Sequence, residues 1–395
     1  MATRTRCRRS RGRSVLLWGV ALFLLLQLAV SVVVDRYGMP VRLPEAVADL
    51  LPLASRPELA DVIVLGSSRS YLGIDPQHAT QDLSQCIGKP VNVFRAAIFA
   101  GDLPTEEYML QRVLALGGRP RIALIEISPE FLARHNDWML EHIRRQVTWE
   151  NSPIYLPQII HESKIGPYLR GRCLPLYAYR LPLWQEAQRL WMTGWAGWMQ
   201  AYRLAGRLAG SQEPRALIEG QRPTTAEILH HCGLDRGCRV AGAIHPRGDV
   251  RAEPNQQEAA QRGAARIQPW LQHYETGGLS VAALERILTC CQRQGIVPLL
   301  IVPPLASAHR ALYTPEIDRL FYARVNQLRK EYALGVTDYR SCLPDSYLFD
   351  NHHLTPAGSL IFTDLIVREL LAPVWREHQR PCGSPPASAQ SSAAP

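Results

Sequence analysis

Five short apolar runs punctuate the chain and alternate with segments of helical period. They are Asp61–Gly66 (DVIVLG), Val91–Phe94 (VNVF), Arg121–Ser128 (RIALIEIS), Gly295–Pro304 (GIVPLLIVPP) and Gly335–Asp338 (GVTD). Continuous rather than alternating apolar character is that of strands buried on both faces. Helical patterns lie around Glu106–Leu116, Ser280–Gln294 and Pro315–Tyr332, and a last helix opens at Thr355-Pro356, apolar along Ile361 and Leu365. There Thr355 is placed to cap and Pro356 to occupy the first helical position. Strands alternating with helices predict an α/β fold with about five parallel strands covered on both faces. Functional groups in such sheets gather beyond the carboxyl ends of the strands, where Gly66-Ser67-Ser68 falls.

The rest of the pattern divides the chain further. Residues 15–34 carry no charge, and about 20 apolar residues at 1.5 Å rise span a bilayer core. Arg4, Arg6, Arg8, Arg9, Arg11 and Arg13 precede the run and Asp35 follows it, which orients residues 1–14 to the cytoplasm. Ala29-Val30-Ser31 loosely resembles a signal-peptide cleavage site, but the run exceeds a usual signal h-region, which favours an uncleaved single-pass anchor. The expected order is then a linker (35–59), a first part of the α/β domain (60–133), an insertion (134–278), a second part (279–378) and a disordered tail (379–395). In the insertion, Trp191, Trp195, Trp198 and Tyr202 recur along one helical face. The stripe is expected to pack the insertion onto the core; the alternatives are an interfacial belt at the membrane or a carbohydrate-stacking groove. Residues 206–263 are polar, hence partly flexible by expectation.

Composition changes this picture little. The chain has 395 residues, 47% apolar and 20% charged, and six of the arginines behind its net charge of +9 precede the apolar run. Nucleic-acid binding is therefore not expected. Of nine cysteines only Cys7 falls on the cytoplasmic side, so disulfides are permitted outside. Cys232 and Cys238 are the best local pair, whereas the adjacent Cys290 and Cys291 need separate partners or none. The run HHCGLDRGC holds His230, His231, Cys232 and Cys238 but matches no common zinc spacing.

A serine needs a base within hydrogen-bond reach and a third group to orient that base. DNHHLTPAG (Asp350–Gly358) offers both, with Asp350 and His353 three apart before a helix and His352 as the competitor. Arg69 beside Ser68 is either a ligand for an anionic sugar or phosphate or a salt bridge holding the loop. Asp75 and Asp102 are expected as turn or cap residues; nothing selects a role for Glu126 or Glu130.

GSS after a first apolar strand and DxxHLTxxG before the final helix resemble the SGNH (GDSL-type) hydrolase superfamily. VLGSSRS…GIDP, the N-terminal apolar run and the Ile-Val-Pro-Pro strand end are similar to membrane-anchored members. Those act in alginate and cellulose O-acetylation and in D-alanyl transfer to teichoic acid. The resemblance leaves out the insertion. It implies a flavodoxin-like three-layer domain with Ser68 as nucleophile, His353 as base and Asp350 as its orienting acid. It places the oxyanion hole at the Ser68 amide, at the amide of Ala100 or Gly101, and at Ser128, which stands where the family has an Asn side chain. Arg95 replaces the Asn of the family's second block, and the third block's Gly-x-Asn-Asp is absent. Losing an oxyanion donor costs on the order of 10²–10³ in rate.

The implied activity is serine O-acyltransfer or ester hydrolysis outside the inner (cytoplasmic) membrane, with an envelope polysaccharide as acceptor. A multispanning membrane acyltransferase is the implied partner, and no cofactor or metal is expected because no Asp/His ligand cluster stands out. A catalytically inactive binding or assembly component is the alternative.

Overall fold

The computed structural model describes residues 3–134, 139–188, 190–191, 239–240 and 254–378. These fall into two compact units.

The larger unit takes the described residues of Pro57–Leu110, Gly118–His135 and Glu213–Pro395. Its centre is an all-parallel sheet of β1 (Val62–Leu65), β2 (Val93–Arg95), β3 (Ile122–Glu126), β4 (Arg239–Val240), β5 (Val297–Val302) and β6 (Gly335–Asp338). The spatial order is β2-β1-β3-β5-β6-β4. Five strands coincide with the five apolar runs; β4 adds a two-residue edge beside β6. Without that edge the order is flavodoxin-like, reversing between β1 and β3. Every residue of β1, β3 and β5 is buried, as continuous apolar strands between two helical layers must be.

Local signals set the helix ends. Thr314 accepts from the Ile317 N–H at the head of Pro315–Tyr332, and Thr355 from the Gly358 N–H at the head of Pro356–Ile366. Asp75 caps Pro76–Ile87 through the Gln77 and His78 amides, and Asp102 accepts from the Thr105 amide, the cap roles expected of both. The helix Pro254–Ile267, in a stretch expected to be partly flexible, belongs to this unit. At Gly263 it reaches Asn351, where any added Cβ would collide with the Asn351 amide.

The second unit takes the described residues of Met1–Arg56, Gln111–Gly117 and Asn136–Gln212. One helix runs over Thr3–Tyr37, and its portion Arg13–Tyr37 is long and apolar enough to cross a membrane. Where a linker was expected, the chain forms helices Met39–Arg42 and Pro44–Ser55. The reason is a helical stripe: Leu43, Ala46, Leu50 and Leu53 are all buried, and Pro44 sits at the helix start, where proline is tolerated. The first part of the insertion is helical, over Met139–Gln146, Ser152–His161, Ile165–Cys173, Pro175–Ala178 and residues 180–188. Ile165–Cys173 and Pro175–Ala178 pack on the N-terminal helix, with Val34, Val41, Ala178 and Tyr179 as a small core.

Trp191 is 90% exposed, so it does not pack the insertion onto a core. Trp195, Trp198, Tyr202, the HHCGLDRGC run with its Cys232–Cys238 pair, and the tail lie outside the described residues. Cys86, Cys173, Cys290, Cys291 and Cys342 are free thiols. Burial pushes Cys290 up to about 11 and Cys342 up to about 12, which keeps both protonated.

Candidate active site

The site forms where β1 ends and the chain turns into the short helix Ser68–Gly73. Ser67 caps that helix, its hydroxyl accepting from the Arg69 amide at 3.2 Å. Ser68 is therefore the first helical residue, with its side chain beyond the carboxyl end of the strand.

The loop Asp350–Leu354 approaches this point from far along the sequence. Asp350 Oδ1 accepts the backbone amides of His352 and His353 at 2.9 and 2.8 Å, folding the loop on its own carboxylate. Asp350 Oδ2 lies 2.7 Å from His353 Nδ1, and His353 Nε2 lies 2.8 Å from Ser68 Oγ. Burial would raise the Asp350 carboxyl, but the His353 bond, the His352 amide and the imidazole charges outweigh it. The carboxylate stays ionised well below its ordinary range. An ionised carboxylate only accepts, so Nδ1 carries the proton and Nε2 accepts from the Ser68 hydroxyl.

His352 does not compete for this place. Its ring is tilted against His353 at a centroid distance of 4.1 Å and edge-on to His309 at 5.9 Å. Burial first, then the charges of Arg69 and His353, hold its pKa well below the ordinary value, so it is neutral. On the other side Phe349 stacks on His353 at 5.4 Å and fixes the plane of the base. Leu354 is buried in the core, which ties the loop to the final helix.

Two buried carboxylates hold the nucleophile turn. Glu126, the last residue of β3, accepts from the Ser67 amide (3.0 Å), the Ser67 hydroxyl (2.7 Å), the Ser70 amide (3.2 Å) and the Ser70 hydroxyl (2.6 Å). Its Oε2 comes so close to Gly66 that a Cβ there would stand 2.6 Å away. Glycine precedes the serines because the carboxylate needs that space. Glu130 pairs with Arg69, both side chains almost wholly buried. Burial would raise Glu130, but Arg69 and the bonds from His309 and Tyr313 hold it well below the carboxylate range. Of the two alternatives for Arg69, ligand for an anion or salt bridge holding the loop, the geometry matches the salt bridge and goes against a substrate-binding role: the residue is 2% exposed and paired with the Glu130 carboxylate.

The Glu130 cluster also reaches the base loop. Tyr313 donates to Glu130 Oε2 at 2.7 Å, His309 Nε2 lies 3.3 Å from the Tyr313 hydroxyl, and Asn351 Nδ2 donates to His309 Nδ1 at 3.0 Å. One buried polar chain therefore runs from Arg69, next to the nucleophile, to Asn351, two residues from the base. Tyr313, His309 and Asn351 gave no signal in the sequence, since each acquires its role only through partners from distant segments. EISPE marked the two glutamates without their roles.

The oxyanion positions divide. The Gly101 amide donates to the Ile98 carbonyl at 3.0 Å, so it is committed elsewhere; Ala100, in the left-handed region at φ 55, remains the candidate with the Ser68 amide. Ser128 is wholly buried, and its hydroxyl caps the helix Pro129–Leu132 by accepting from the Phe131 amide at 3.3 Å. The cap uses the hydroxyl as an acceptor, and its O–H keeps the capacity to donate. Arg95 lies over the Tyr71 ring at 3.6 Å and donates to the Tyr71 carbonyl at 3.1 Å, bracing the nucleophile helix.

Among the described residues, two groups have metal-ligand atoms within 4.8 Å of one another, Asp350/His352/His353 and His78/Asp82/Asp364. The expectation that no Asp/His cluster would stand out is corrected to that extent. In the first, Asp350 Oδ2 and His353 Nδ1 are bonded to each other, and in the second His78 Nε2 bonds Asp364 at 2.7 Å. Comparison of the chain with protein-family models and with curated proteins finds no match.

Proposed function

We propose that the chain is a membrane-anchored SGNH-type serine O-acyltransferase or esterase that modifies an envelope polysaccharide outside the inner membrane. The observation that carries the reading is the continuous chain Asp350–His353–Ser68, at 2.7 and 2.8 Å. Those distances suit general-base activation of a hydroxyl. Ser68 Oγ attacks the carbonyl of an acyl ester or thioester while its proton passes to His353 Nε2. The tetrahedral oxyanion is met by the backbone amides of Ser68 and Ala100. Collapse expels the leaving group, which takes the proton from His353, and leaves an acyl-Ser68 ester. A sugar hydroxyl then gives its proton to His353 and attacks the ester, and Ser68 Oγ leaves taking that proton back from His353. With water in place of the sugar the same steps give hydrolysis. Anchoring rests on Arg13–Tyr37, and a multispanning acyltransferase supplying the acyl group from the membrane is the partner that this placement suits.

A second reading, an inactive binding or assembly component, is favoured by the commitment of the Gly101 amide to the Ile98 carbonyl. One experiment separates the two. A fluorophosphonate probe is expected to label the wild-type chain and not Ser68→Ala. A wild type that resists labelling while the same sample is folded by circular dichroism overturns the catalytic reading.

A further inference from the structure

The N-terminal helix is not left bare up to its charged end. Its polar positions Gln27, Ser31 and Asp35 are spaced by four and share one face. Each is taken by the insertion. Asp35 pairs with the Arg172 guanidinium and accepts the Trp149 amide at 2.8 Å; Ser31 accepts the Trp149 indole N–H at 2.9 Å; Gln27 Oε1 accepts the Leu176 amide at 3.4 Å. Gln27 and Ser31 are 4% and 1% exposed. Eight residues of helix separate Gln27 from Asp35, about 12 Å of rise, so the insertion covers one face of the apolar run from Gln27 onward.

That creates a length problem if the insertion stays in water. With the bilayer edge at Gln27, only residues 15–26 would remain in hydrocarbon, roughly 18 Å of helix against a core of about 30 Å. The full run spans only if the segment around Leu176 lies inside the outer leaflet, about 10 Å below the level of Val34.

The surface of that segment fits such a place. Leu176, Tyr177, Leu181, Trp184 and Trp191 are exposed, the last four at spacings of 4, 3 and 7. Leu181 and Trp184 share one face of the helix at 180–188, and Leu176 and Tyr177 are exposed on the short helix just before it. Arg180 lies over the Tyr177 ring at 4.5 Å, the pairing of an aromatic body with a cationic head that suits a headgroup layer. A water-facing helix has no reason to present Leu181 and Trp184 on one face. Helices that lie in a bilayer interface do.

We propose that residues 174–191 form an interfacial collar embedded in the outer leaflet beside the anchor, with lipid as the occupant of the Leu181–Trp184 face. The proposal rests on the reading of residues 15–34 as a membrane span. The test uses the full chain, both in vesicles of phosphatidylethanolamine and phosphatidylglycerol and in native membranes. A carbene reagent confined to the hydrocarbon is photoactivated and the labelled peptides are identified by mass spectrometry. The expected result is labelling of both 15–34 and 174–191, each about fivefold or more above the solvent-facing helix Pro315–Tyr332. A Leu181→Glu, Trp184→Glu variant is expected to lose most label from 174–191 and keep it in 15–34. Label in 15–34 alone overturns the collar and leaves the anchor standing; label in neither segment overturns both. Labelling of 174–191 in vesicles but not in native membranes assigns the face to a protein partner and overturns lipid as its occupant.

Discussion

The two halves of the candidate site are held in opposite ways. The nucleophile turn is fixed from beneath: four donors of Ser67 and Ser70 converge on Glu126, and Arg69 is locked to Glu130, all in the buried interior. The base loop is fixed from within, by Asp350 accepting the amides of its own next residues, and its side chains stay partly exposed. A nucleophile has to stand at one place, so its support is distributed over the core. A base has to exchange protons with acceptors that come and go, so its support is local and open to solvent. The Arg69–Glu130–Tyr313–His309–Asn351 chain makes the two halves answer to each other.

The comparison can be broken most severely at the reacting atoms. Ser68→Ala is expected to lower acyl-transfer or esterase turnover by about 10⁴ or more while leaving the melting temperature within a degree or two. Asp350→Asn keeps the shape of the loop but favours the wrong imidazole tautomer, and turnover is expected to fall by about 10³–10⁴. Glu126→Ala should act on stability instead. It strands buried donors, and a loss of about 3–5 kcal/mol in urea melts is expected; a loss below about 1 kcal/mol would mean that the turn does not depend on this carboxylate. Asn351→Ala interrupts the link between the halves, with an expected loss of about 1–2 kcal/mol and a smaller drop in turnover than Asp350→Asn.

Acid and base titrations sharpen the contrast, because the carboxyls shift in opposite senses. Asp350 and Glu130 are held below their unfolded values, so the unfolded chain binds more protons as the pH drops. Their stabilisation is present above an unfolded pKa of about 4 and is lost as the pH falls through the lower folded values. Glu106 is pushed well above its ordinary value by burial and by the charges of Glu126 and Asp102. The folded state keeps that proton after the unfolded chain has released it, so its contribution erodes as the pH rises above about 4. Thermal melts of Glu106→Gln are expected to gain over wild type with rising pH, and those of Asp350→Asn to lose less in acid. Parallel curves for either variant would contradict the assignment for that residue.

Much of the site was legible because its three reacting residues sit in two short segments. GSS ends an apolar run and DNHH precedes a capped helix, so local pattern marked both segments, and the family resemblance singled out Ser68, Asp350 and His353 within them. The supporting residues were not legible, because their roles come from strand adjacency. Glu126 reaches Ser67 only because β3 pairs with β1 in register, Leu65 against Ile125, and a sequence carries no mark of which strands are neighbours. The cap role of Ser128 was missed because a hydroxyl at a strand end serves as a helix cap as well as a donor, and only the following Pro129 marks the cap. The span 35–59 looked like a linker because its prolines stood out more than its leucine stripe. The insertion was read as a single piece, yet it divides between the N-terminal helix and the sheet, a separation set by tertiary packing.

The sheet order also dictates when the molecule can fold. β3 joins β1 on one side and β5 on the other, and residues 127–296 intervene before β5 is made. A chain emerging from its N-terminus can pair β1, β2 and β3 early, but it must then carry an open edge along β3 until the rest follows. That edge is apolar over Ile122–Ile125 and carries a charge only at its end, Glu126, and an open apolar edge recruits other strands. Slow, non-local closure makes the interval before residue 297 the period of greatest hazard, and truncation within 127–296 should yield aggregates instead of a smaller folded domain.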